Sequence, residues 1–234
     1  MISTPSAGFH DRVANMGIFE TFYDSFMVPL DRLGLRRWRR WATAVAGERI
    51  LEIGVGSGLN LPHYSGTKVF AYDPEPQMLS KAKGRAHRVH ADRVILCRSR
   101  GEMLPFADGV FDAAVGTLVF CTIQDPACAL RELRRVLKPA APVRLVEHVR
   151  WKNHMGAHVL DFLTPTWRRI AGGCHLNRDT LEEIENADFT LQLVEESFGG
   201  ILLGIEVISP VQGVDQRTGK CLRGCSSARH GSLS

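Results

Sequence analysis

Apolar residues recur at helical spacing through the first 47 positions. Ile18, Phe19, Phe22, Tyr23, Phe26 and Met27 form one dense stripe. Leu35, Trp38, Trp41, Ala42 and Val45 form a second, with Arg36, Arg37, Arg39 and Arg40 on the remaining positions and expected to face outward. The pattern then shortens. Arg49 to Gly54, Lys68 to Tyr72, Arg93 to Cys97, Phe111 to Val119 and Pro142 to Val149 are apolar runs of strand length. Between them, Glu75 to about Val89 brings Met78, Ala82, Ala86 and Val89 to one helical face. A second helix begins with Asp125 as its N-cap and Pro126 at its first position. It carries Leu130, Leu133, Val136 and Leu137 inward and stops by Pro139. Strand and helix alternating at this interval predict βαβ units, hence a parallel sheet with helices on both faces.

The last third breaks the alternation. Asn177 or Asp179 caps a helix bearing Leu181, Ile184 and Ala187, and Phe189 to Glu195 and Gly204 to Ser209 follow as strands with no helix between them. Two strands joined that way are most simply an antiparallel pair at the sheet edge. Gly213 to Ser234 is rich in Gly, Ser and Arg and reads as a mobile tail. The expected division is an N-terminal helical cap over 1–47, an α/β domain over 48–212 and a tail over 213–234.

Composition changes this picture little. The 234 residues are 44% hydrophobic and 23% charged, ordinary proportions for a globular chain. The formal charge of +4 gives a nucleic-acid partner no support. No run approaches the ~18 consecutive apolar residues of a membrane-spanning helix, and Met1 to Asn15 lacks the features of an export leader. The cysteines (Cys97, Cys121, Cys128, Cys174, Cys221, Cys225) are scattered without the paired spacing of a zinc site. No metal is expected, although Cys221 and Cys225 in the tail could bind one or oxidise. Scattered thiols fit a reducing compartment, so a cytoplasmic location is the expectation.

The strongest chemical signal is Glu52-Ile53-Gly54-Val55-Gly56-Ser57-Gly58, where the first strand ends. Glycines there let the backbone turn sharply and approach a ligand closely. The spacing is G-x-G-x-G, with Leu59 where a nicotinamide-dependent dehydrogenase would place its third glycine. Asp73 ends the next strand. In an open α/β sheet it falls beside the glycine turn, where a carboxylate can accept both hydroxyls of a ribose.

With these residues in hand, the run from Glu52 to Val149 resembles the core of a class I S-adenosylmethionine-dependent methyltransferase. Glu52, Gly54, Gly56 and Gly58 match the first motif of that family and Asp73 its ribose acid. Gly101 to Phe106, Phe111-Asp112 and Leu133 to Pro139 match later landmarks. Asn60, Thr117 to Cys121, Glu147-His148-Val149 and Cys174 to Arg178 are similar to the alkyl-thiol S-methyltransferases and their bacterial relatives. The resemblance implies a Rossmann-like, mostly parallel seven-stranded sheet whose last strand is antiparallel. It implies S-adenosyl-L-methionine as cofactor, S-adenosyl-L-homocysteine as product, and a small-molecule acceptor. The implied cofactor residues are Tyr23, Glu52, Gly54, Gly56, Gly58, Asn60, Asp73, Pro74, Met78, Gly101, Glu102, Met103 and Thr117. Two positions depart from the family. Arg100 stands where many relatives have an adenine-reading Asp, and arginine accepts no hydrogen bond. Ala140-Ala141-Pro142 replaces a glycine pair.

Tyr23 is the candidate for closing over the methionine end of the cofactor, while Phe22 and Phe26 are expected in the core. His148, at the ligand end of the fifth strand, is the candidate to accept a proton from a thiol or hydroxyl. Cys121 and Cys174 are expected to pack as small hydrophobes. The expected reaction is direct in-line transfer to a thiol or similar soft nucleophile. A quinone-type or phospholipid acceptor is the alternative, served by a membrane-surface patch of Arg36, Arg37, Arg39 and Arg40. A nicotinamide-dependent oxidoreductase, or a cofactor-binding sensor without turnover, are readings from other classes.

Overall fold

The computed structural model describes residues 22–89, 93–149, 158, 161–162, 164–165, 173–175 and 177–210. Met1 to Asn15, Ile18, Phe19, the side chain of Val89, and the tail with Cys221 and Cys225 lie outside the described residues.

Seven strands form one sheet in the order β3-β2-β1-β4-β5-β7-β6. They are β1 (Arg49–Ile53), β2 (Lys68–Asp73), β3 (Val94–Arg98), β4 (Ala113–Thr117), β5 (Pro142–His148), β6 (Thr190–Ser197) and β7 (Leu202–Ile208). The first five pair in parallel, and β7 runs antiparallel between β5 and β6. The closing strand pair is therefore antiparallel, as its missing crossover helix requires. β4 is shorter than its apolar run because both ends have other work. The Asp112 carboxylate accepts the N–H groups of Glu48 and Arg49 at 2.9 and 2.8 Å, and Leu118 turns to φ 56°.

Helices α1 (22–30) and α2 (Arg36–Thr43) are joined by a π-turn over Asp31–Leu35. Helix α3 (Pro76–Val89) follows β2, α4 (Pro126–Val136) precedes β5, and α5 (Thr180–Asn186) precedes β6. Asp125 caps α4 through Cys128 N–H, and Asp179, not Asn177, caps α5 through Glu182 N–H. Alternate residues of β1 serve opposite faces. Ile50 packs with Met27, Leu35 and Ala42 of the cap, whereas Leu51 and Ile53 pack with Leu130, Leu133 and Ile184. The cap lies close on the sheet because Gly204 of β7 has no side chain. A Cβ there would stand 2.0 Å from the Trp38 ring.

Two expectations for the cap are corrected. Phe22 and Phe26 are 63% and 50% exposed, because Tyr23 and Met27, one position on, take the inner face. Arg39 points inward and is only 3% exposed, since it shares its face of α2 with Leu35, Ala42 and Thr43. Ala140 adopts φ 58° at the end of the sheet opposite the glycine turn.

Candidate functional site

β1, β2, β4 and β5 all end at one edge of the sheet, and the loops there carry the predicted residues. Gly54, Gly56 and Gly58 adopt φ of 59°, 53° and 85°, the left-handed region that side chains avoid. Space is equally decisive at Gly54, where a Cβ would lie 2.2 Å from Val119 Cγ2. Asp73 stands against this turn. Its Oδ2 accepts Gly56 N–H at 2.9 Å and its Oδ1 accepts Glu75 N–H at 2.9 Å.

A buried polar network lies beneath the turn. Asn60 Nδ2 donates to Glu52 Oε1 at 2.8 Å and to Thr117 Oγ1 at 3.0 Å, while Asn60 Oδ1 accepts from Arg39 Nη1 at 2.9 Å. Arg39 Nε in turn donates to Asp31 Oδ1 at 2.8 Å, and Tyr64 Oη donates to Glu52 Oε2. Asn60 and Glu52 are thus engaged with the protein. Arg39 Nη2 is buried and has no partner among the described residues. Helix α1 covers the turn from above. The Tyr23 hydroxyl would meet a Cβ on Gly56 at 3.7 Å. Asp24 accepts from Ser57 Oγ at 2.6 Å and pairs with Arg85 at 3.0 Å. Between cap and turn is a cleft lined by Tyr23, Arg39, Glu52, Gly54, Asn60 and Thr117.

The remaining candidates sit around this centre. Met78 and Gly101 are buried, Gly101 so tightly that a Cβ would lie 3.0 Å from Tyr72 Oη. Glu102 accepts Asp125 N–H at 3.2 Å. Pro74 is exposed and Met103 is 74% exposed, so both stand at the rim. Arg100 is exposed and pairs through its backbone with Met103, leaving main-chain groups near Gly101 as the polar groups on that side. At the end of β5, His148 Nε2 lies 2.8 Å from Cys174 Sγ. Cys121 joins them, so both thiols turn toward an imidazole as well as packing as apolar groups. Burial disfavours the His148 imidazolium, but its contacts with Cys174 and Glu147 outweigh this and leave its pKa raised.

Burial is the largest influence on Tyr23, Asp73 and Glu52. It pushes the Tyr23 phenol up to about 12. It also raises Asp73, against the lowering effect of the Glu75 and Gly56 N–H groups. Glu52 is lifted to about 7 by burial, opposed by its bonds from Tyr64 and Asn60. Between about pH 4.5 and 7 the folded chain therefore keeps a proton on Glu52 that the unfolded chain has released, so this group destabilises the fold as pH rises. Glu52→Gln is expected to melt increasingly above the parent from pH 5 to pH 8, the gap approaching about 3 kcal/mol. A gap that stays constant across thermal melts at those pH values would remove Glu52 as its cause.

Residues 51–143 match a family model described as a methyltransferase domain. The chain is 37% identical over 148 residues to the thiol S-methyltransferase TMT1B of Rattus norvegicus, covering 60% of this chain but only 59% of that relative's length. It is 30% identical over 181 residues to the thiol S-methyltransferase TMT1A of Homo sapiens, covering 74% of this chain and 72% of that relative. The chain belongs to the class I S-adenosylmethionine-dependent methyltransferases. The fold of this chain also aligns with the [4+2]-cyclase SpnF (TM-score 0.63, 18% identity, 76% of this chain and 80% of that one). That likeness concerns architecture alone, because one fold serves many chemistries.

S-adenosylmethionine is the cofactor of the family, and the chemistry of the residues at the cleft suits it. Gly56 has room for a Cβ, 3.7 Å from the Tyr23 hydroxyl, Asp73 flanks the turn, and the orphaned Arg39 nitrogen supplies a buried cationic donor in the cleft. Arg39 and Asp24 are the residues that reading the sequence missed. Arg39 carried a legible signal, being spaced four after Leu35 and three before Ala42. Asp24 carried none. Among the described residues, no helix is long and apolar enough to cross a membrane.

Proposed function

We propose that the protein transfers a methyl group from S-adenosylmethionine to a small-molecule thiol by direct in-line displacement. The observation that carries this reading is the Asp73 carboxylate clamped against the glycine turn, whose other residues line the cleft with Arg39. The cofactor, when bound, supplies a methyl group on a positive sulfonium. The chain's task is then to bind, align and exclude water, and alignment alone is worth on the order of 7–11 kcal/mol of barrier.

Asp73 uses one lone pair of each oxygen on backbone N–H groups, and a carboxylate has about four such sites, so acceptor capacity remains for ribose hydroxyls. Arg39 Nη2 receives the carboxylate at the methionine end, and Tyr23 closes over it. Main-chain groups around Gly101 and Glu102 read the adenine. Glu52, Asn60 and Thr117 hold the floor. His148 meets the acceptor sulfur, beside which Cys121 and Cys174 make a sulfur-lined wall. Attack by that sulfur on the methyl carbon would break the sulfonium bond, its electron pair staying with the departing sulfur and the thiol proton passing to His148. A thiol suits a site without an elaborate base, because its free pKa of about 8.5 already provides some thiolate at neutral pH. Two relatives named as thiol S-methyltransferases support the same acceptor.

A quinone-type or phospholipid acceptor at a membrane surface is the second reading. Phe22, Phe26 and Leu33 are exposed, as are Arg36, Arg37 and Arg40 on the helix that follows, and exposed apolar and basic residues together suit a lipid interface. Arg39, being buried, has no part in that patch.

Calorimetric titration with S-adenosylhomocysteine is expected to show one-to-one binding, weakened roughly 5–150-fold in Asp73→Ala, as loss of 1–3 kcal/mol of hydrogen bonding requires. Parent-like affinity in that variant would discard the ribose assignment. With cofactor binding established, small alkyl thiols are expected to yield methyl thioethers in lipid-free buffer. Turnover confined to quinols on anionic vesicles would transfer the reading to the membrane surface. Binding with no transfer to any of these acceptors would point to a sensor.

A further inference from the structure

Cys121, His148 and Cys174 come from three separate segments: the loop after β4, the last residue of β5, and the stretch before α5. Their ligating atoms all lie within 4.8 Å of one another. Cys121 is buried, and Cys174 is 9% exposed. The segments are stitched together by backbone contacts. His175 N–H donates to the Cys121 carbonyl at 2.9 Å, and Arg178 Nη1 donates to the Ile123 carbonyl at 2.7 Å. The cluster is therefore held by tertiary structure and does not depend on one mobile side chain.

A second observation concerns the neighbouring acid. Glu147 is wholly buried, and its Oε1 accepts the N–H groups of Val119 and Phe120 at 2.9 and 3.1 Å. Its Oε2 has no partner among the described residues. Glu147 lies within electrostatic reach of Cys121, His148 and Cys174 alike. A buried carboxylate with an unanswered oxygen thus stands beside two thiols and an imidazole, a concentration of groups able to ligate or balance a cation.

We propose that Cys121, His148 and Cys174 bind a thiophilic divalent cation of the zinc type. Zinc takes thiolate sulfur at about 2.3 Å and imidazole nitrogen at about 2.0–2.1 Å, so tetrahedral ligand atoms stand roughly 3.5–3.8 Å apart. His148 Nε2 and Cys174 Sγ, now at 2.8 Å, would part slightly, and all three ligand atoms already lie within 4.8 Å of one another. Two thiolates neutralise the ion's charge. Three protein ligands leave a fourth position open, as in zinc sites that hold water or a substrate. The pattern is invisible in the sequence because no two of the ligands are near neighbours. The ion would occupy the imidazole and the thiols that the methyl-transfer reading places beside the acceptor, so the two share residues, but ion binding is read directly whether or not methyl transfer occurs.

The test uses the full chain, reduced and stripped with a chelator, then titrated with Zn2+ alone against a chromophoric competitor and separately with Co2+. One equivalent is expected to bind. The Co2+ form should show thiolate-to-metal charge transfer in the near ultraviolet with visible bands of tetrahedral cobalt. Cys121→Ser, Cys174→Ser and His148→Asn should each weaken Zn2+ binding roughly 100-fold or more, whereas Cys97→Ser should not. Melting curves and S-adenosylhomocysteine binding establish that each variant folds. Affinity unchanged in both cysteine variants would place the ion elsewhere and overturn the proposal. So would the absence of binding in the reduced parent, including the case where oxidation yields a Cys121–Cys174 disulfide instead.

Discussion

Arg39→Ala is expected to lower stability by roughly 3–5 kcal/mol, the loss seen when one member of a buried ion pair is removed. The side chains of Arg39 and Asp31 are 4% and 10% exposed, so the Asp31 carboxylate would be left with little water to replace its partner. Asn60 Oδ1 would lose its donor at the same time. For a domain of this size each kcal/mol shifts the melting temperature by about 2–4 °C, which predicts a fall of roughly 6–20 °C. Arg36→Ala, Arg37→Ala and Arg40→Ala, on the exposed side of the same helix, should stay within about 0.5 kcal/mol of the parent. A loss at Arg39 no larger than theirs in thermal melts would contradict the buried pairing. Ligand binding separates the second role. Arg39→Lys keeps a cation near Asp31 but lacks the planar fork. It should weaken S-adenosylhomocysteine more than 5′-methylthioadenosine, which has no carboxylate. Equal weakening of both would remove Arg39 from the methionine end.

Gly54→Ala is expected to abolish cofactor binding at concentrations that saturate the parent and to destabilise the apo chain as well. An alanine at φ 59° adopts the left-handed region at a cost of about 1–2 kcal/mol. Its Cβ would also stand 2.2 Å from Val119 Cγ2, and overpacking of that kind costs about 1–3 kcal/mol more. Val119 cannot simply slide away, because its N–H is bound to the buried Glu147 carboxylate. The double variant Gly54→Ala/Val119→Ala should recover the overlap component while retaining the backbone penalty. If the single variant melts and binds like the parent, the close approach of turn to β4 loop is not as described.

The parts of this site that could be read from the sequence are those set by distance along the chain. The interval from Gly54 to Asp73 spans a turn and one strand of the parallel sheet, so the acid had to arrive beside the turn. β6 and β7 were recognisable because no helix-length segment separates them. The cap was harder. Phe22 with Phe26 and Tyr23 with Met27 are equally good stripes one residue apart, and only contact with the sheet decides between them. Arg39 was misplaced for another reason: an arginine inside an apolar stripe reads as an exception until Asp31 and Asn60 are seen to receive it. The convergence of Cys121, His148 and Cys174 depends on how the loops after β4 and β5 approach the stretch before α5, which no local spacing encodes.

Asp24 gives the cap a thermodynamic consequence. Its carboxylate joins α1 to Ser57 in the glycine turn and to Arg85 on α3, and Arg85 also donates to the Ser57 carbonyl. Order in the first described helix and order in the turn are therefore two readings of one equilibrium. Whatever free energy an occupied cleft contributes to holding that helix down, the docked helix must return to the occupant as affinity, because coupling between two sites is reciprocal. The lifetime of the bound state and the fraying of the chain's first described turn are then expected to change together.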